Sequence, residues 1–371
     1  VDVGDIMKKD RETLGFHSIS AYRNELFAFS IISIILFHFV DDFLDSTTAT
    51  GIAIMPANMF ADIISSIGVE IFVLLSGLGL YFSFRKNSDV QRFYKKRFIR
   101  ILVPYGIFGC VAWLVLTVIS KKDFWYYIYN FSLMSFWNSG NVMLWYIAFI
   151  LVMYLAFPLI FAIINSEHSG RNTLITLAIM YLILFACENN STSIYSDVEI
   201  ALWRMPVFVV GTYFGKLAYE KRQFKISDYV FFIAVFAQKF LFLFLEIFSD
   251  GEGAANPFNV IYDFTHKYFR MFSGLYSLGL IFILVVIFRF FNSGIVSKIS
   301  LPISKITLEL YITHVTIRNI SRALNLPIGK FWFFLIYLSL SIIVTILINV
   351  VSNIIIQRIN NGSKQKLRHC R

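Results

Sequence analysis

His38 closes an apolar run, Phe27 to Phe37, broken only by two serines. Imidazole can take and return a proton near neutrality, so a histidine so placed is a candidate general base or nucleophile. Arg23 stands fifteen residues earlier. On a helix that is about 22 Å along the axis and about 60° around it, so the two would share one side at opposite membrane faces. An interfacial histidine and an orienting arginine are the plain alternative. Glu70 opens the next apolar stretch and could pair with His38 across a hairpin, fixing its tautomer; a carboxylate facing outer water is the other reading. Arg204 begins a later run. His314 lies inside a run, either as a second catalytic group or as a buried hydrogen-bonding residue. Ser76-Gly77, also inside a run and with no base nearby in sequence, reads as a small-residue packing site.

Arg92-Phe93-Tyr94-Lys95-Lys96-Arg97-Phe98-Ile99-Arg100 interleaves basic and aromatic residues. Such a segment can be a stop signal drawn to anionic lipid, at about 1 kcal/mol per basic residue. It can equally be a phosphate clamp for a nucleotide-bearing cofactor; spacing alone does not choose. Cys110, Cys187 and Cys370 are far apart and show no CxxC or Cys/His spacing, so no metal site and no disulfide frame is expected.

The elements that must position these groups are membrane helices. The 371 residues are 57% apolar and 15% charged, with a mean hydropathy of +0.69. A soluble domain would carry roughly 25% charged residues. About 20 apolar residues span the hydrocarbon, and ten runs qualify, near 25–41, 63–84, 99–119, 143–164, 173–190, 201–219, 228–248, 270–291, 303–323 and 331–356. The first is short, and the ninth carries Glu309, His314 and Arg318. The fold class is therefore all-α, a polytopic bundle of about ten transmembrane helices. Residues 1–21 form an N-terminal tail, 22–356 one transmembrane domain, and 357–371 a basic C-terminal tail. Met7-Lys8-Lys9 reads as a natural start, with residues 1–6 as an upstream extension.

Loop charge sets the orientation. Asp41, Asp42 and Asp45 follow the first run with no Lys or Arg, whereas Arg85, Lys86, Arg92, Lys95, Lys96, Arg97 and Arg100 lie between the second and third. Arg171, then Lys221, Arg222 and Lys225, then Lys298 and Lys305, fall on the same side as this basic loop. Positive-inside makes that side, and both termini, cytoplasmic despite Lys121, Lys122 and Lys330 outside. The net charge of +10 is thus accounted for by orientation and not by nucleic-acid binding, which would need a basic face on a polar domain. Trp125-Tyr126-Tyr127 and Trp137 read as an outer interfacial segment, and Gly251-Glu252-Gly253 as an outer turn.

Six segments in order resemble the membrane acyltransferase 3 family. They are Tyr22-Arg23-Asn24-Glu25-Leu26 running to His38, GVEIFVLLSGLGLYFSF from Gly68, and FYKKRFIRILVPY from Phe93. LWYIAFILVMY from Leu144, WRMPVFVVGTYFGK from Trp203 and ISKITLELYITH from Ile303 complete the set. The resemblance implies O-acylation of glycans or other exported acceptors by cytoplasmic acyl-CoA, acetyl-CoA being the default donor. It makes His38 the key catalytic residue, with Glu70 and Arg23 counted beside it. Arg97 and Arg100, with Arg92, become candidates for the CoA phosphates; Arg204, Trp145 and His314 become candidate substrate contacts. The family's basic residue usually lies about ten positions before the histidine, where this chain has Phe27 and Ala28. Expected partners are membrane lipid, acyl-CoA and a glycan or glycolipid acceptor, in a cell's inner (cytoplasmic) membrane, with no metal. A secondary transporter is the competing reading, but inverted repeats and Gly/Pro-broken helices are not evident. A partner in a glycan-export complex is another. Neither would consume acyl-CoA.

Overall fold

A peptide group left unpaired in hydrocarbon costs several kcal/mol, so a chain this apolar has to close its hydrogen bonds within helices. The computed structural model describes residues 14–48, 54–65, 67–190, 192–247, 257–291 and 294–369. The expected start at Met7, the turn at Gly251-Glu252-Gly253 and Cys370 lie outside them. Among the described residues the only non-helical pairing is one bridge, Gly15 to Gln223. Ten helices correspond to the ten runs: α1 (Arg23–Ser46), α2 (Gly68–Lys86), α3 (Val90–Ile119), α4 (Trp145–Ile164), α5 (Ser169–Asn190), α6 (Met205–Tyr219), α7 (Ile226–Ile247), α8 (Phe269–Phe290), α9 (Thr307–Ala323) and α10 (Phe331–His369). The residues expected as a separate tail from 357 continue α10.

Eight of these are long and apolar enough to cross a membrane, α2 being counted with the helix Met55–Ser65 that leads into it. The chain is a multi-pass, all-α membrane protein. The other two, α6 and α9, have 15 and 17 residues, and at 1.5 Å per residue fall short of a hydrocarbon core about 30 Å thick. Both are shielded from lipid. Every residue from Leu310 to Arg318 of α9 is buried, and α9 packs against α1, α3 and α10. Thr313 and Glu309 find partners on α10: the Thr313 and Thr345 hydroxyls are 2.7 Å apart, and Asn349 donates to Glu309 at 3.2 Å. By contrast α5 and α7 expose Leu174, Ile179, Leu182, Val230, Ile233 and Leu241, the surface that lipid requires.

The tightest helix pair is α2 with α6. A Cβ at Gly211 would strike the Leu74 carbonyl, one at Gly77 the Phe208 carbonyl, and one at Gly215 would lie 2.8 Å from the Leu78 carbonyl. Gly77 therefore has the packing role expected of it. Outside the spans, Phe124–Phe131 and Met134–Ser139 form two short helices that expose Phe124 and Trp125, in keeping with the interfacial reading.

Leucine at position 211 would have to push two backbones apart, and overpacking of this kind costs about 1–3 kcal/mol or more. Thermal unfolding in detergent should show Gly211→Leu melting well below the parent. Gly106→Leu, where nothing lies within 4 Å of the added Cβ, should melt with it.

Candidate active site

At about 100° per residue, Arg23, Phe27, Ile34 and His38 fall on one face of α1, and Thr307, Tyr311 and His314 on one face of α9. Both faces border a cavity of about 620 Å³. Its mouth carries six basic side chains, Arg23, Lys86, Lys96, Arg97, Arg100 and Lys305, and no Asp or Glu is among its lining residues. Its inner part is walled by Ile34, Val69, Phe72, Tyr146 and Tyr311. There the Tyr146 and Tyr311 rings meet edge to face at 5.6 Å, and Ser76 lies 3.5 Å from the Tyr146 hydroxyl. The cavity thus grades from a cationic rim to an aromatic interior.

Just past that interior stand the two histidines. Ile34 precedes His38 by four residues and Tyr311 precedes His314 by three, so the pair lies about one helical turn, roughly 5 Å, beyond the inner wall. His38 Nδ1 is 3.0 Å from His314 Nε2, with the rings inclined by 13°. His314 is fully buried and its Nδ1 has no hydrogen-bond partner. One imidazole of such a pair must donate and the other accept.

Glu70 does not pair with His38. The Ser30 hydroxyl donates to the Gly68 carbonyl, which sets the start of α2 level with the middle of α1. Glu70 therefore sits near the level of Ser30, about 12 Å of helix rise below His38. The helix Met55–Ser65 occupies the space where a simple hairpin would have placed α2's first turn. Glu70 also lies on the opposite face of α2 from the cavity. Residues 69, 72, 76, 79 and 83 line the cavity, whereas Glu70, Leu74, Gly77 and Tyr81 turn toward α6. Its partner is Arg204, at 2.7 Å, with both side chains buried. Arg204 also donates to the Ile200 carbonyl at 2.6 Å and lies 4.8 Å over the Trp145 ring. Arg204 and Trp145 are thus joined to Glu70 in one buried cluster beside the cavity, and none of the three lines it.

Arg23, grouped with His38 by the sequence reading, stands at the cavity mouth with Arg97 and Arg100, so it belongs to the basic rim. Arg92 is exposed one turn before Lys96 and does not line the cavity; α3 projects beyond the rim there.

Two features went unread in the sequence. Tyr146 and Tyr311 wall the cavity, and their only signal was membership of the matching segments. The second is a ladder. Asp41, Asp42 and Asp45 are not loop charges but the last turns of α1, paired with Arg318 and Arg322 of α9. Arg318 bonds both oxygens of Asp42 at 2.8 Å and reaches Asp41 at 2.6 Å. Arg322 reaches Asp42 at 2.6 Å and Asp45 at 3.0 Å. The pairs 38–314, 42–318 and 45–322 advance together along both helices, so α1 and α9 run parallel. The spacing 38, 41, 42, 45 against 314, 318, 322 is one helical stripe on each.

A family model described as an acyltransferase domain, acyltransferase 3, matches residues 28–350. The chain belongs to this acyltransferase family. The match takes in His38, Glu70, Arg92, Arg97, Arg100, Trp145, Arg204 and His314, and begins after Arg23. No curated protein and no solved structure matches the chain. The protein is a membrane acyltransferase, and the cavity with its histidine pair is its candidate active site.

Removing one partner of a buried ion pair strands the other and costs about 3–5 kcal/mol, whereas removing both is far milder. Arg204→Met should lower the melting temperature of this acyltransferase steeply, and Arg204→Met with Glu70→Gln should recover much of the loss. Equal losses in the two variants would mean that the charges are not coupled.

Proposed function

We propose that this acyltransferase moves a short acyl group, acetyl in the simplest case, from cytoplasmic acyl-CoA to a hydroxyl of an acceptor on the outer side of a cell's inner membrane. The acceptor class we favour is a cell-surface polysaccharide or its glycolipid precursor. One observation carries the reading: an acid-free basic mouth opens into an aromatic cavity that ends one turn short of a histidine pair. CoA is a polyanion at one end and a thioester at the other, joined by a thin arm, and the cavity has the same polarity along its length. Arginine forks suit phosphate oxygens, so Arg97 and Arg100, aided by Arg23, hold the phosphates. Positive-inside orientation makes this mouth cytoplasmic and puts both termini on that side, while the histidines lie toward the outer face.

The chemistry follows from the pair. For His38 to act as base at Nε2, its proton must sit on Nδ1 and be donated to His314 Nε2, which leaves the His314 proton on its own Nδ1. His314 thereby takes the tautomer-fixing role expected of Glu70. His38 Nε2 then accepts the acceptor's hydroxyl proton as that oxygen attacks the thioester carbonyl. The C–O bond forms, the C–S bond breaks, and the CoA thiolate leaves and takes up the proton. A general base contributes about 10²–10⁴-fold. The imidazolium formed in passing is stabilised by its bond to His314.

The test is free-thiol release from acetyl-CoA by the purified protein in nanodiscs, with and without a surface-glycan extract. His38→Ala should abolish glycan-dependent release. Hydrogen bonds to charged groups contribute about 1.5–3 kcal/mol each, so Arg97→Ala with Arg100→Ala should raise KM for the donor roughly tenfold or more and leave kcat near the parent value. Undiminished transfer by His38→Ala would falsify the assignment of the base.

A further inference from the structure

We infer that Asp42 is a positioning residue, whose ion pair with Arg318 sets the register of α9 against α1 and so holds His314 Nε2 against His38 Nδ1. The inference rests on the reading of His38 as the base. The geometry is that of a clamp one turn away from the histidines. His38 and Asp42 are four residues apart on α1, and His314 and Arg318 are four apart on α9, so both pairs span the same offset of 276 residues. Arg318 grips Asp42 through two parallel bonds, Nε to Oδ2 and Nη2 to Oδ1, each 2.8 Å. A planar fork on a carboxylate fixes angle as well as distance. A slip of one residue between the helices would move a side chain by about 1.5 Å and 100°, enough to lose the 3.0 Å contact between the imidazoles.

Stability alone does not account for the pair. The Asp42 side chain is wholly buried and that of Arg318 is 8% exposed, and burying two charges is so costly that apolar replacements often match or exceed such pairs. Fixing register is the best-attested return on that cost. α9 has particular need of it: at 17 residues and enclosed on all sides, it has no long apolar surface by which lipid could set its depth. Arg322 ties the same carboxylate to Asp45 at the exposed end of the ladder. Both arginines also reach Asp41, at 2.6 and 3.4 Å, but Asp42 is the buried carboxylate that they share.

Two variants separate fork from charge. Asp42→Asn removes the charge at constant shape, and Arg318→Lys keeps the charge but removes the fork. Both should lower kcat about tenfold or more while KM for acetyl-CoA stays within about twofold, because the cavity mouth is untouched. Nitrogen NMR of histidine-labelled protein, with no donor present, should show the His38 and His314 resonances shifted in both, assigned with His38→Gln and His314→Gln. Asp228→Asn, which breaks the pair with Arg222 at the basic end, should shift neither. Unchanged kcat, or kcat lost while the histidine resonances of the folded protein stay in place, would overturn the proposal. If His38→Ala keeps full transfer, the base assignment is what fails, and the donor-free resonances still decide whether Asp42 sets the register.

Discussion

Two helices with polar stripes cannot both be exposed to hydrocarbon, and in this acyltransferase they are laid side by side. The α1 stripe runs from Arg23 through Phe27, Ile34 and His38 to Asp41, Asp42 and Asp45. The α9 stripe runs from Thr307 through Tyr311 and His314 to Arg318 and Arg322. Because the helices run parallel, like functions fall at like depth: cavity wall beside cavity wall, histidine beside histidine, acid beside base. Were α9 reversed, its arginines would face the basic rim and its histidine would have no imidazole opposite. Seven helices, α2 to α8, lie between the two, and an odd number of intervening crossings is what leaves α1 and α9 parallel.

The rest of the bundle divides its work by helix face. On α2, the face at 69, 72, 76, 79 and 83 lines the cavity, while the opposite face packs on α6 through Gly211 and Gly215 and pairs Glu70 with Arg204. The wall of the cavity is thereby braced from behind by a glycine-tight contact and a buried ion pair. On α3, Arg97 and Arg100 line the cavity in the first turns, while Leu102, Val111 and Leu114 further along the helix are exposed. Polarity along the cavity thus changes over a few turns, from guanidinium to aromatic ring to imidazole.

Most of the fold was legible because lipid leaves the backbone so few choices. Apolar length predicted the helices, and the basic segment that opens α3 marked residues, Lys96, Arg97 and Arg100, that the structure places at the cavity mouth. His38 stood out as an ionisable group at the end of an apolar run. What sequence could not provide was depth and azimuth between distant helices. Glu70 was assigned to the level of His38 because a hairpin was drawn with a short return; the intervening helix Met55–Ser65 and the Ser30–Gly68 bond set it lower. The first run was ended at Asp41 because carboxylates look like loop residues until their partners, 276 and more positions away, are known. Arg204 likewise could be seen as a charge at a helix start, but not as one already engaged by Glu70 and Trp145.

The central claim is that the cavity is the path by which the donor reaches the histidines. The most direct measurement is donor protection of a thiol placed on that path. Ser76→Cys, on a background with Cys110, Cys187 and Cys370 changed to Ser, puts a thiol beside Tyr146 on the cavity wall. Saturating CoA should slow its alkylation by a small maleimide many-fold, and Arg97→Ala with Arg100→Ala should remove that protection. Alkylation at the same rate with and without CoA would contradict the account.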